Sequence, residues 1–206
     1  DCGFGGTIES LVANWLYPLM LAAKLKENDA DNPSLIQAMN GPFSQKYWEA
    51  SCLKVETLEK MDAWSIVDWK QEMNALPSIW AFKCKQFLYC LIKKFKARFC
   101  VRGDRQKHGI NFWETWSPVL HWSTIRTIII LAAKEKLISN QCDITAAFVT
   151  APIPKDEVVY VTQPRGFVKD PDSVLRLNSC LYGMRQSPRY FFGYLSKKLE
   201  TQGLIP

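Results

Sequence analysis

Residues 80–107 read WAFKCKQFLYCLIKKFKARFCVRGDRQK, and their pattern predicts two basic β-strands. Trp80–Lys85 alternates apolar and polar positions, which places Lys83 and Lys85 on one strand face. A second basic strand is predicted over Phe95–Arg102. Two such strands in succession predict a β-hairpin with one cationic face, although the connection through Phe87–Ile92 contains no Gly, Asn or Asp.

The charge of this hairpin is far from the average of the chain. Lys83 to Lys107 holds nine basic residues and one acid, Asp104, whereas the 206-residue chain has a formal net charge of +6. A local excess of this kind indicates a polyanionic partner, either nucleic acid or nucleotide phosphates. A solvated, lysine-rich hairpin that prevents edge pairing explains the composition equally well.

The segments on either side of the hairpin predict a mixture of helices and strands. Ser44 is a suitable N-cap for a helix to about Met61, with Trp48, Cys52, Val55 and Leu58 on its apolar face. The remaining predicted elements are a strand at Trp64–Trp69, a helix from an N-cap at Ser123 to about Lys136, strands near Gln141–Ile144, Val158–Val161 and Val174–Leu177, and a helix that Ser187 opens and Gly203 closes. This irregular order predicts an α+β fold, preceded by an irregular lead-in over residues 1–43.

Cysteine usage and hydropathy exclude other classes of protein. The seven cysteines form no C-x-x-C pair and are accompanied by only two histidines, which argues against a zinc module. Their odd number indicates reduced thiols in an intracellular protein. The most apolar early stretch, Leu11–Leu25, is interrupted by Asn14 and Pro18, so no membrane-spanning segment is expected.

Seven groups of short motifs, in this order, resemble the reverse transcriptases of copia-type long-terminal-repeat retrotransposons. They are WAFKCK (80–85); KAR (96–98) with VRGDRQ (101–106); GINF (109–112) with ETWSPV (114–119); TIR (124–126); QCDITAAF (141–148); VY (159–160) with QPRGF (163–167); and LYGMRQSPR (181–189). The resemblance implies that residues 44–206 are an incomplete reverse transcriptase domain, with the fingers and part of the palm of a right-hand polymerase. It also implies an RNA template, a DNA primer and deoxynucleoside triphosphates as partners, and a location in the cytoplasm, a virus-like particle or the nucleus.

The resemblance assigns the metal and sugar contacts to residues 143–148. Asp143 is expected at the end of a palm strand, where its carboxylate and the main-chain carbonyl of Ile144 would hold Mg²⁺ or Mn²⁺. Ala146 and Ala147 would offer backbone N–H groups to the triphosphate, and Phe148 would exclude a 2′-hydroxyl. Without the motifs, Asp143 would more often be a turn or cap residue, and Phe148 would more often be a core residue.

The resemblance assigns the other contacts to cations and to a glycine turn. Lys96 and Arg98 would bind the incoming phosphates, and Tyr182 and Gly183 would form the floor beneath the nucleotide and the template base. Lys83, Lys85, Arg185 and Arg189 would contact nucleic acid, although Arg189 is also explained as a solvated surface charge.

The sequence departs from the family in its carboxylates. The family supplies two further metal ligands in a Tyr-x-Asp-Asp turn, and no Asp follows Asp172 here. We therefore expect this isolated chain to lack polymerase activity. Two alternatives stay open: a non-catalytic nucleic-acid-binding protein that uses residues 83–107, and a non-functional translated remnant.

Overall fold

A computed structural model describes residues 31–86 and 91–204. The described residues divide into two compact units, one containing 31–50, 81–86 and 91–97, the other containing 51–80 and 98–204. The helices are α1 (Leu35–Asn40), α2 (Ser44–Lys60), α3 (Trp122–Lys134) and α4 (Ser187–Glu200), and the strands are β1 (Trp64–Asp68), β2 (Ala75–Leu76), β3 (Ser78–Gln86), β4 (Ile92–Val101), β5 (Tyr160–Val161) and β6 (Ser173–Leu177). The α+β class is confirmed. No described helix has the length and apolar character needed to cross a membrane.

The first unit packs around the ring of Tyr47. This buried ring makes edge contacts with Phe82 and Phe95, at centroid distances of 5.3 and 4.9 Å. Helix α1 begins with a capping box, in which Ser34 Oγ accepts from the N–H of Gln37 while the Gln37 side chain accepts from the N–H of Ser34. The expectation of irregular chain over residues 1–43 is therefore wrong for Leu35–Asn40, and residues 1–30 lie outside the described part.

The hairpin follows the sequence pattern closely. Strands β3 and β4 pair in a two-stranded sheet. Trp80, Phe82 and Cys84 are buried while Lys83 and Lys85 are exposed, so the predicted alternation is confirmed. The unusual turn was predicted near Gln86–Lys93. Strand β3 extends to Gln86 and β4 begins at Ile92, while residues 87–90 lie outside the described residues.

The second unit contains a four-stranded sheet in the order β1-β6-β5-β2. Strand β6 pairs antiparallel with β1, with Trp64 opposite Leu177, and antiparallel with β5, while β2 and β5 are parallel. The side chains of Leu76, Val161 and Leu175 are buried in this sheet. The strands predicted at Trp64–Trp69 and Val174–Leu177 are confirmed, and the one predicted at Val158–Val161 is confirmed only over Tyr160–Val161. The two-residue β2 is an element that the sequence pattern did not predict.

Helix α2 has the predicted bounds, but the face that it buries differs from the predicted one. Tyr47, Ser51, Val55 and Leu58 are buried, whereas Trp48 is 37% exposed. These four positions recur at intervals of four, four and three residues, the spacing of one helix face. Trp48 lies one position away from that face, so its large apolar ring does not join the core.

Two predictions in residues 121–144 are wrong. The N-cap of α3 is His121, and Ser123 lies inside the helix, where its carbonyl accepts a hydrogen bond from Thr127 Oγ1 at 3.0 Å. Residues 141–144 form no strand and are exposed. A strand is stabilised by pairing with a neighbour, and this segment offers only Cys142 and Ile144 as apolar residues beside the strand-disfavouring Asp143. None of the residues of α3 is buried.

Helix α4 has the predicted start and end. Pro188 occupies the first turn, where its missing N–H costs no intrahelical hydrogen bond. The helix ends at Glu200, and Gly203 follows with a φ of +80°, the left-handed conformation that glycine adopts readily. The first residues of this helix, which belongs to the second unit, are the end of the last motif, residues 181–189.

Candidate active site

Three aromatic rings of the second unit form a cluster around Phe148. The Phe148 ring lies 5.2 Å from the ring of Tyr182 and 6.1 Å from the ring of Phe191, in edge-to-face geometry. Phe148 belongs to a 3₁₀ helix, Ala147–Thr150, and Ala146 before it adopts a left-handed conformation with φ 54°. The structure thus brings Phe148 and Tyr182 together and places Ala146 and Ala147 beside them in sequence.

The backbone at Tyr182 and Gly183 lies directly against the end of β4. The N–H of Val101 donates to the carbonyl of Tyr182 at 2.8 Å. Gly183 has a φ of +90°, and a Cβ atom there would lie 2.1 Å from the carbonyl oxygen of Val101. This contact explains why a glycine occupies position 183.

A buried amide network supports this backbone, and the sequence did not single it out. Gln106 Nε2 donates to Gln186 Oε1 at 2.9 Å, and Gln186 Nε2 donates to the carbonyl of Asn111 at 3.0 Å. All three residues are buried. Gln106, Asn111 and Gln186 each lie inside a quoted motif, which is the signal that could have identified them.

The structure gives Arg185 and Arg189 defined partners. Arg185 Nε donates to the carbonyl of Gly103 at 2.8 Å, and its guanidinium carbon lies 5.4 Å from the centre of the Phe112 ring. Arg189 forms an ion pair with Glu114 and remains 41% exposed. Both cations are therefore held in place by contacts within the second unit.

The cations of the hairpin lie on β3 and β4. Lys83, Lys85 and Arg98 are exposed, and Lys96 is half-buried. Lys96 and Arg98 are two positions apart in β4, so they share a strand face. Lys96 belongs to the first unit and Arg98 to the second.

Lys54 is a further cation at the aromatic cluster, and sequence reasoning missed it. Its Nζ lies 5.8 Å from the centre of the Tyr182 ring. Burial lowers the pKa of Lys54, and the nearby Arg98 lowers it further, whereas Cys100 acts in the opposite direction. Only its helical position could have suggested that it faces the motifs.

The described residues do not form a two-metal site around Asp143. Asp143 and Ile144 lie in an exposed segment without strand structure, so the expected position at the end of a palm strand is wrong. Within residues 31–86 and 91–204, no three His, Cys, Asp or Glu side chains converge as metal ligands. The described residues therefore do not fit a pair of divalent metals, and we assign no metal-dependent step to this arrangement.

The comparisons with known proteins agree with the motifs. Residues 61–205 match the family model described as reverse transcriptase (RNA-dependent DNA polymerase). The chain is 32% identical over 180 residues to the retrovirus-related Pol polyprotein from transposon TNT 1-94 of Nicotiana tabacum. The aligned residues are 86% of the chain and 13% of that polyprotein. It is 37% identical over 116 residues to the Pol polyprotein from transposon RE2 of Arabidopsis thaliana, covering 55% of the chain and 8% of the polyprotein.

A more distant relative extends the likeness to yeast. The truncated transposon Ty1-A Gag-Pol polyprotein of Saccharomyces cerevisiae is 29% identical over 162 residues, which cover 77% of the chain and 13% of that polyprotein. The matched part is thus a small fraction of each of the three polyproteins. Because the family model covers well over half of the chain, and its relatives are retrotransposon Pol polyproteins, the chain belongs to the reverse transcriptase family, in its copia-type branch.

Proposed function

We propose that this chain forms the fingers and the first part of the palm of a copia-type reverse transcriptase, which adds deoxynucleotides to a primer 3′-hydroxyl on an RNA template. The observation that carries the proposal is the packing of Phe148 against Tyr182, at 5.2 Å, beside the tight turn at Gly183. An aromatic pair of this kind offers flat apolar surface to a sugar and a base. The glycine keeps that surface free of a neighbouring side chain.

We propose the following roles for the residues of the motifs. Phe148 excludes a ribose 2′-hydroxyl, and the backbone of Ala146 and Ala147 binds the triphosphate. Lys96 and Arg98 bind phosphate oxygens, as a point charge and as a planar fork respectively. Lys83, Lys85, Arg185 and Arg189 contact the template.

We further propose that Asp143, with the carbonyl of Ile144, supplies one ligand of the divalent metals that the family uses. Two-metal phosphoryl transfer requires several carboxylates that bridge both ions. Among the described residues, no three His, Cys, Asp or Glu side chains come together as metal ligands. On its own, the 206-residue chain is therefore expected to bind substrates without extending a primer.

A primer-extension assay with Mg²⁺ or Mn²⁺ tests this proposal when it is run beside filter binding of the same RNA–DNA template. We expect binding without extension. Asp143→Asn should leave template binding unchanged, and Asp156→Asn, in another exposed segment, is the matched control. Extension above the Asp143→Asn background would show that another acid completes the metal site, whereas loss of all binding would refute the polymerase assignment for this chain.

A second candidate function is nucleic-acid binding without catalysis. The exposed Lys83 and Lys85, which alternate with buried Phe82 and Cys84, favour it because they leave a cationic strand face open to solvent. Such binding depends steeply on salt, since each phosphate contact releases counterions. Replacing Lys83 and Lys85 by Gln should reduce both the affinity and the salt slope, while the same change at Lys46 and Lys60, which pair with Glu49 and Glu56, should not.

A chain that bound neither template nor nucleotide would instead fit the translated-remnant interpretation. In that case the motifs would record its origin and not its present activity. Equilibrium unfolding would then separate a folded but inactive chain from one that does not hold its structure.

A further inference from the structure

The position of Lys54 is the starting observation. It lies on the middle of α2, and its side chain is half-buried. The Nζ atom is held over the ring of Tyr182 at 5.8 Å from the ring centre. A cation in this position is attracted by the ring quadrupole.

The neighbours of Lys54 come from β4. Cys100 forms an isolated β-bridge with Tyr182, and the next residue, Val101, donates its N–H to the Tyr182 carbonyl. Arg98, two residues before Cys100, is close enough to lower the pKa of Lys54 by charge repulsion. Lys54 and Arg98 therefore both lie near the part of the chain around Tyr182.

Lys54 differs from the other described lysines of α2. Lys46 pairs with Glu49 at 3.5 Å, and Lys60 pairs with Glu56 at 2.7 Å. Among the described carboxylates, none lies within 4 Å of Lys54 Nζ. A half-buried ammonium beside an arginine, without a carboxylate partner, pays both desolvation and repulsion.

We propose that Lys54 and Arg98 form an anion site beside Tyr182 that takes a phosphate group. An anion between the two cations would remove their repulsion and would replace the water that Lys54 has lost. The lysine would act as a point charge and the arginine as a fork, and both types of contact are strengthened by the formal charges. The inference rests on the proposed function, to which it adds a recognition residue outside the quoted motifs.

Two sources supply the same phosphate chemistry at this position. One is the triphosphate of a free deoxynucleotide, and the other is the backbone of a template strand. Tyr182 suits both, because its ring can carry a base or a sugar from either ligand. Separate binding measurements with the two ligands distinguish the sources.

The experiment uses the 206-residue chain and its Lys54→Gln and Lys54→Arg variants. Binding of radiolabelled deoxyguanosine triphosphate is measured by equilibrium dialysis in buffer without divalent metal, and binding of a single-stranded RNA oligonucleotide is measured by filter retention at low salt. Lys60→Gln is the matched control, since Lys60 lies on the same helix in an exposed pair with Glu56. Thermal unfolding of each variant shows that the fold is retained.

We expect Lys54→Gln to weaken one of the two ligands about tenfold, as the loss of a charge-assisted contact does. Lys54→Arg should keep most of the affinity, and Lys60→Gln should match the unmodified chain. A loss confined to the triphosphate identifies the nucleotide as the source, and a loss confined to RNA identifies the template.

Two other outcomes would overturn the inference in different ways. If Lys54→Gln binds both ligands as tightly as the unmodified chain, the anion site is wrong while the proposed function stands. If the unmodified chain binds neither ligand, both proposals fail together. Because the Lys54→Arg variant keeps the charge, a loss of binding in both Lys54 variants would point to packing and would also contradict the anion site.

Discussion

Gly103 and Gly183 lie so close together that neither position has room for a side chain. A Cβ atom on Gly103 would lie 1.9 Å from the carbonyl oxygen of Gly183, and one on Gly183 would lie 2.1 Å from the carbonyl oxygen of Val101. In both cases the obstructing atom belongs to the backbone, which cannot turn aside as a flexible side chain can. The backbone just after β4, at Gly103, is thus packed directly against the backbone at Gly183.

Gly183→Ala should therefore destabilise the fold by roughly 2 to 4 kcal/mol, the combined cost of a left-handed backbone and a severe overlap. Urea unfolding followed by tryptophan fluorescence measures this change. Gly193→Ala is the control, because a Cβ at this α4 position meets nothing within 4 Å. The control should be neutral or more stable by up to about 1 kcal/mol, since alanine favours a helix. Equal stability of both variants would contradict the close approach.

Gln186→Leu should cost roughly 1 to 3 kcal/mol, because it leaves buried polar groups without partners. The side chain of Gln186 is fully buried and bonds to Gln106 and to the carbonyl of Asn111. The same change at Gln202, which is exposed, should alter the free energy of unfolding by less than about 0.5 kcal/mol. Denaturant titration of both variants tests the difference, and a Gln186→Leu variant as stable as the unmodified chain would exclude the network.

Glu114→Gln should change stability by less than about 1 kcal/mol, because Glu114 and Arg189 form an exposed ion pair. If Arg189 contacts the template, as proposed, the same change should raise the affinity for RNA a few-fold at low salt by freeing the guanidinium. Arg189→Gln should lower that affinity. Filter binding measures both effects, with Glu72→Gln as an exposed control. An affinity that Glu114→Gln leaves unaltered would argue against a template contact by Arg189.

The free energy of unfolding should fall as the pH rises from about 9 towards 12. Burial raises the pKa of the Cys180 thiol to about 12. The thiol of an unfolded chain titrates near pH 8.5, so above this pH the unfolded state releases a proton that the folded state keeps. Proton release then favours unfolding. Burial and the hydrogen bond to Glu157 raise the pKa of Tyr190 and so act in the same direction.

Urea titrations at several alkaline pH values measure this slope. Cys180→Ala should be less stable at pH 7, since it opens a small cavity, but its stability should depend less on pH. Cys142→Ala, at an exposed thiol, should leave the slope unchanged. A slope that is the same in the unmodified chain and in Cys180→Ala would remove Cys180 as its source.

Phe148 and Tyr182 should show a coupling of about 0.5 to 1.5 kcal/mol in a double-mutant cycle with leucine at each position. Their edge-to-face contact at 5.2 Å is the physical basis of this value. A parallel cycle that pairs Phe148 with the exposed Trp69 should give no coupling. The coupling is obtained from the free energies of unfolding of the four proteins in each cycle. Zero coupling in the first cycle would contradict a direct contact between the two rings.

The elements that the sequence predicted well are those with strong local signals. The alternation of Trp80–Lys85 requires one buried and one exposed face, and β3 has both. Pro188 and Gly203 mark the two ends of α4 through their backbone preferences. Local chemistry of this kind does not depend on which other segments lie nearby.

The predictions that failed depend on distant partners. Gln141–Ile144 was predicted to be a strand, but no neighbour in the described chain pairs with it. Gln106 and Gln186 are polar and would ordinarily be exposed. Their hydrogen bond to each other at 2.9 Å, and their bonds to the backbone of Arg185 and Asn111, make burial possible. Lys54 carries no local signal either, because its significance comes from Tyr182, far away in the sequence.

The pairing of β1 with β6 also has a consequence for folding during translation. Trp64 lies opposite Leu177, so this strand pair cannot form until the ribosome has added residues 173–177. At roughly 5 to 20 residues per second, β1 leaves the exit tunnel many seconds before its partner exists. Contacts of such long sequence separation also slow folding. During that interval the nascent β1 has an open edge, and chaperones that shield exposed strands would determine how much chain reaches the native state.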